Sequence, residues 1–265
     1  MVDVSQNRPI VLLTDFGHKD IFVGILKGVI LSLNPGATIL DLSHGVRPHN
    51  IFHGSFLLDC AMGYFPEGTV FCVVVDPGVG TDQRPVLIKT KDYYFLGPDN
   101  GILWQAAEKN QIENVIHLNQ KAYFLEKISS TFHGRDIFAP IAAHLSLGVE
   151  IDKFGIPIND LVQLNLPVPE IQGNKLILTI LDIDIYGNIC LNITWKKFKA
   201  FTGECFRLEV GNTQISRVYK AYALSRDSLP FLLTSSSGYM EIAVKNGNAA
   251  EQLAVKCLDK VMLTQ

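Results

Sequence analysis

Between Pro9 and Gly148, short apolar runs alternate with stretches of helical period, and this alternation constrains the fold more than any other feature. "PIVLLTDF", "TILDLS" and "TVFCVVVD" are strand-length and largely apolar, as strands covered on both faces require. "DIFVGILKGVILSLNPG" spaces Ile21, Ile25, Val29 and Leu33 at helical intervals and stops at Pro35-Gly36. "NIFHGSFLLDCAMGYF" reads as a helix that Asn50 caps. "PVLIKT" and "YYFLGPD" read as paired strands, "NGILWQAAEKN" as a helix and "NVIHL" as a strand. "RDIFAPIAAHLSLG" reads as an amphipathic helix interrupted by Pro140. Strands separated by helices predict an α/β domain over residues 1–160 with a mostly parallel sheet.

The rhythm changes near Leu161. "LVQLNLPVPEIQGNKL" has no helical period, and residues 161–173 read as a linker. Beyond it, "KLILTILDID", "NICLNIT", "CFRLEV", "QISRVYKAYAL", "PFLLT", "YMEIAV" and "KVMLTQ" read as strands, with Gly211-Asn212 as a hairpin turn. Residues 174–265 are therefore expected to form a smaller C-terminal β domain, a barrel or a sandwich.

Composition narrows the partners. A net charge of −3 gives no electrostatic case for nucleic acid. No apolar run approaches the roughly 20 residues of a membrane-spanning helix. The polar start "MVDVSQNRP" predicts no secretory leader. Five scattered cysteines without a CxxC predict mostly buried free thiols and a reducing, cytoplasmic compartment.

In open α/β sheets, ligands bind beyond the carboxyl ends of the strands. Asp15, Asp41, Asp76 and Asp99 follow or end four predicted strands there. One such acid is commonly a helix cap, the plain reading for Asp41 and Asp99, but several along one edge mark a candidate site. His133, in "TFHGRD", is either a capping or core histidine or a partner of Asp76 at that edge. No P-loop, dinucleotide fingerprint or GxSxG elbow is present. Asp15, His18, Asp20, Asp41, His44, His49, His53 and His133 leave a metal site open as the weaker reading, since "HNIFH" lacks the glutamate of HExxH.

Six stretches in order, "LLTDFGHKDIFVGILKGVI", "VVVDPGVGTDQR", "YYFLGPDNGIL", "TFHGRDIFAPIAAHL", "DIYGN" and "SSSGYMEIAVKNGNAA", carry a resemblance along nearly the whole chain. The chain resembles the S-adenosylmethionine (SAM) hydroxide adenosyltransferases, the adenosine-forming SAM hydrolases related to fluorinating and chlorinating enzymes. The resemblance implies an N-terminal α/β domain, a C-terminal β-barrel, and a homotrimer with active sites at subunit interfaces. It implies SAM as substrate, with no further cofactor and no metal, and attack of water at ribose C5′ to give adenosine and L-methionine. An Asp–Arg–His set is implied: Asp76, Arg84 and His133. Related sequences carry two arginines after the glycine turn where this chain has Gln83-Arg84, and Arg84 is expected to serve. Substrate contacts are implied for Asp15 with the ribose hydroxyls, Asp20 and Asp184 with the methionine ammonium, and Ser236 and Ser237 with its carboxylate. Asn188 is implied at the adenine edge and Tyr222 at its face.

Fluoride-binding relatives have tyrosine at the Asp76 position and serine at the Gly134 position, and a long insertion that this chain lacks. A carboxylate repels a halide, which favours water as nucleophile. The remaining alternatives are a non-catalytic SAM- or adenosine-binding module, a halogenase and a metal-dependent hydrolase.

Overall fold

A computed structural model describes residues 7–203 and 205–265. The polar start, through Gln6, on which the leader expectation rests, lies largely outside the described residues. The chain divides into two units after Asn165.

The first unit is built on seven strands: β1 (Ile10–Thr14), β2 (Ile39–Ser43), β3 (Val70–Val74), β4 (Pro85–Thr90), β5 (Tyr94–Pro98), β6 (Ile112–Leu118) and β7 (Gly155–Pro157). Their order is β2-β1-β3-β5-β4-β6-β7. β2, β1, β3 and β5 pair in parallel, β4 and β7 run the other way, and β6 returns to the first direction. The sheet is thus mixed, with five strands pointing one way. The helices are α1 (Phe22–Leu33), α2 (Ile51–Ala61), α3 (Trp104–Lys109) and α4 (Ala139–Ser146).

Alternation along the strands sorts the core into two layers. Ile10 and Leu12 of β1 and Val70, Cys72 and Val74 of β3 pack with Leu26 and Ile30 of α1 and Ile141 and Leu145 of α4. Val11, Leu13, Phe71 and Val73 pack with Leu58 of α2 and Ala106 and Ala107 of α3. Every residue of β1 and β3 is buried because both faces are covered. β2 lies on one side of β1 and β3 on the other, so the sheet reverses its winding between β1 and β3. Right-handed crossovers then put α1 and α2 on opposite faces and open a crevice at that point.

Local signals act as the residues demand. Asn50 caps α2 by accepting a 2.9 Å hydrogen bond from the His53 N–H. The expected amphipathic helix around Pro140 differs from the structure. Gly134–Phe138 form one wide π-helical turn that runs into α4, and Pro140, which has no N–H to give, sits in the first turn of α4 just after that widening. Seven of its eight residues are buried, since Ala139, Ala142 and Ala143 let it press between α1 and the sheet.

Residues 161–169, across the boundary, have no regular structure, and the strands of the second unit are β8 (Glu170–Gln172), β9 (Lys175–Ile183), β10 (Ile189–Thr194), β11 (Arg207–Val210), β12 (Thr213–Ile215), β13 (Phe231–Thr234), β14 (Tyr239–Ala243) and β15 (Lys260–Thr264). β8 lies within the stretch read as linker and pairs with β9. The main path is β12-β11-β15-β9-β10-β14-β13, antiparallel throughout. Ile215 of β12 and Leu232 of β13, from opposite ends of this path, share one core, so the sheet curls on itself. Just beyond β12, Tyr219 N–H donates to the Leu232 carbonyl at 2.9 Å, and the barrel is nearly closed. Gly211-Asn212 forms the two-residue hairpin turn, with Gly211 at φ +56°. The expected strand through "QISRVYKAYAL" ends at Ile215; Tyr222–Leu224 form a short 3₁₀ turn. Two helices have no counterpart in the strand reading: α5 (Trp195–Thr202), capped by Thr194, and α6 (Ala249–Leu253), capped by Asn248.

Candidate active site

At the winding reversal a cavity of about 330 Å³ is lined by Asp15, Asp20, Asp76 and His133, together with His49 and the rings of Phe16, Phe22 and Phe132. Thr14 is level with Val74 in the β1–β3 register, so Asp15 and Asp76 leave the sheet at nearly the same height. The 129–133 loop contributes Thr131, Phe132 and His133 to the lining. Its anchor is Asp136, fully buried, which accepts a 2.7 Å hydrogen bond from Ser129 N–H and pairs with Arg135 at 2.6 Å.

The three phenylalanines meet at ring-centroid distances of 5.3–5.8 Å. They form an apolar wall of the cavity, and Gly134 is pressed against two of them: a Cβ there would meet Phe132 at 3.3 Å and Phe16 at 3.4 Å. Asp15 accepts a 2.8 Å hydrogen bond from the His49 N–H. His49 takes φ +62°, a conformation rare for residues other than glycine, and that backbone turn aims its N–H at Asp15.

Burial pushes the Asp76 carboxyl above its ordinary range. The Gln83 amide, His133 and the Gly78 N–H pull the other way, and Asp15 adds to the rise. A carboxylate so placed is a better proton acceptor than a solvated one.

The expected Arg84 contact is not what the structure holds. Arg84 binds Asp99 through Nε at 3.0 Å and Asp160 through Nη1 at 2.8 Å, so it faces away from Asp76. Gln83 stands there instead, its Nε2 donating to Asp76 Oδ1 at 2.5 Å. Neighbouring residues of an extended segment point to opposite sides, so only one of the pair faces the carboxylate. The other two strand-end acids are structural. Asp99 is Arg84's partner, and Asp41 is held by Lys27 at 2.6 Å and His44 at 3.0 Å. Among the described residues, no group of three or more His, Cys, Asp or Glu side chains is placed to hold a metal ion. His49 precedes α2, and His53 lies inside it, accepting from Arg47 N–H at 3.0 Å.

The second unit has its own cavity, about 590 Å³, lined by Asp184, Tyr186, Asn188, Tyr222, Val244, Asn246 and Gly247. Asn188 donates its side-chain amide to Asp184 at 2.9 Å. Gly187, at φ +83°, makes the turn between them. Tyr222 donates to the buried Glu241 at 2.6 Å, a residue the sequence reading did not single out. Burial raises the Glu241 carboxyl above its ordinary range, opposed by the Tyr222 bond. Ser236 and Ser237 lie in the β13–β14 turn, both exposed and outside the lining of this cavity.

An acid-lined crevice at the reversal of an α/β sheet, in a chain that also carries an antiparallel barrel, defines a two-domain small-molecule enzyme class. Residues 10–155 match the SAM hydroxide adenosyltransferase N-terminal domain, and residues 178–262 match the C-terminal domain. The chain belongs to this family. It is 34% identical to the (R)-S-adenosyl-L-methionine hydrolase of Methanocaldococcus jannaschii, over 95% of this chain and 94% of that one. It is 31% identical to the enzyme of the same name from Thermus thermophilus, over 94% and 96%. A fluorinase of an Actinoplanes species is more distant, at 28% over 71% of this chain and 72% of that one. The crystal structure of an uncharacterised conserved protein from Thermotoga maritima superposes with a TM-score of 0.91 at 36% identity, covering 97% of this chain and 100% of that one.

Proposed function

We propose that this protein hydrolyses SAM by attack of water at ribose C5′, giving adenosine and L-methionine. The observation that carries the reading is Asp76, a partly buried carboxylate made more basic by its surroundings and facing the same cavity as His133. The water oxygen bonds to C5′ as the C5′–sulfur bond breaks, and the bonding pair goes to sulfur. The sulfonium leaves as a neutral thioether, so the leaving group calls for neither an acid nor a Lewis acid. What the protein supplies is alignment of the water and a place for its proton. Asp76 and His133 do this; Arg84, committed to Asp99 and Asp160, is given no part.

Asp15, with one oxygen fixed by His49, takes the ribose hydroxyls. Asp20 and Asp184 face the ammonium. With its amide given to Asp184, Asn188 reads adenine through its side-chain carbonyl oxygen, and Tyr222 stacks on the ring. Ser236 and Ser237 hold the methionine carboxylate. The active form is a homotrimer in which these groups serve one substrate across subunits, and no metal or further cofactor takes part. Five scattered cysteines without a CxxC support a reducing, cytoplasmic setting.

Incubation with SAM in water enriched in heavy oxygen tests the reaction. Labelled adenosine 5′-hydroxyl and free methionine are expected, without 5′-halo product in chloride or fluoride and with activity kept in chelator. Saturable SAM binding without turnover would make the protein a binding module instead.

A further inference from the structure

We propose that Gln83 is a positioning residue for Asp76, holding the carboxylate in one orientation through its amide while bringing no positive charge to it. The inference rests on the hydrolytic reading above. Its first support is the 2.5 Å hydrogen bond from Gln83 Nε2 to Asp76 Oδ1.

The second is the seat made for that amide. A Cβ on Gly78 would stand 2.7 Å from Gln83 Oε1, so the glycine leaves the space the side chain fills. The turn between the two partners is tied internally. Thr81 Oγ1 donates to the Gly78 carbonyl at 2.7 Å and accepts from the Gln83 N–H at 3.3 Å, and Val79 N–H donates to the Asp76 carbonyl at 3.2 Å. Gln83 is therefore held with its amide over Asp76, not swept there by chance.

Charge makes residue 83 a lever. The titratable groups that line the cavity with Asp76 are Asp15, Asp20, His49 and His133, and only the histidines can turn positive. The next cation in the chain, Arg84, is spent on Asp99 and Asp160. A neutral donor fixes the carboxylate without quenching its basicity, whereas a cation at residue 83 would lower it.

The test uses the full chain with Gln83→Met, Gln83→Lys and Gln83→Glu. The Asp76 midpoint is read by carboxyl carbon NMR, assigned with Asp76→Asn, and adenosine release from SAM is followed against pH. Relative to the native chain, the midpoint is expected to fall in Gln83→Lys, rise in Gln83→Met and rise further in Gln83→Glu. The acid limb of kcat/KM moves in the same order. In Gln83→Met, kcat falls about tenfold, as loss of one charge-assisted hydrogen bond would give, with KM little changed. All three changes sit in the turn before β4, and a native circular-dichroism spectrum with cooperative unfolding well above the assay temperature separates the effect from misfolding. An Asp76 midpoint that stays put across the series, or full kcat in Gln83→Met, overturns the inference while leaving hydrolysis intact. A midpoint that follows the series in a protein releasing no adenosine upholds the Gln83–Asp76 coupling and overturns hydrolysis instead.

Discussion

Gly80 lies so close to Ser130 that a Cβ on the glycine would stand 2.2 Å from the Ser130 carbonyl oxygen. This approach lets the turn after β3 touch the loop before His133, which brings Asp76 and His133 to one cavity. Gly80 also sits at φ +81°, where a side chain is strained whatever the space. Gly80→Ala is expected to push the two loops apart, costing roughly 1–3 kcal/mol in backbone strain. Thermal unfolding and adenosine release should both fall; a variant with native activity would show that the loop contact is dispensable.

Asp76→Ala and His133→Ala are expected to bind SAM with near-native affinity and to lose about 10²–10⁴-fold in turnover. Calorimetric binding beside an adenosine assay separates the two effects. Near-native turnover in either variant would remove that residue from the mechanism.

Asp76 also sets a pH dependence of stability. Its folded pKa lies above the ordinary value of 3.8, chiefly through burial. The protonated form therefore suits the folded state better. That stabilisation is complete below the ordinary value and is lost as pH rises through the folded one. At neutral pH the carboxylate is a burden on the fold, so Asp76→Asn should raise the melting temperature at pH 7. The gap should close in acid below the ordinary aspartate value. A variant less stable than the native chain at pH 7 would contradict the burial argument.

Arg84→Ala is expected to act on stability. The Asp99 side chain is 3% exposed, and removing its guanidinium partner strands a buried carboxylate that keeps, among the described residues, the Val162 N–H at 2.9 Å. The expected loss is about 3 kcal/mol. Turnover per folded molecule should hold. Denaturant unfolding with a parallel assay checks both; a stable but inactive variant would return Arg84 to the chemistry.

Much of this protein could be read from its residues in order. The apolar runs at β1, β3 and β5, the stop at Pro35-Gly36, the Asn50 cap and the Gly211-Asn212 turn are local effects, carried by side chains within a few residues of one another. Such effects also placed Asp15 and Asp76 at strand ends, where a carboxylate can leave the apolar interior for a cavity. What local pattern could not decide is which acids share a cavity. Asp41 and Asp99 look like Asp15 in the sequence, yet Lys27 and His44 claim one and Arg84 the other, across separations of 14, 3 and 15 residues. The choice between Gln83 and Arg84 was closed to sequence for the same reason. Adjacent residues on an extended chain face opposite ways, and only the packed sheet settles which side holds Asp76. α4 shows the limit for helices: its residues suggest a solvent-facing side, but α1 and the sheet bury it, because burial depends on what the rest of the chain brings alongside.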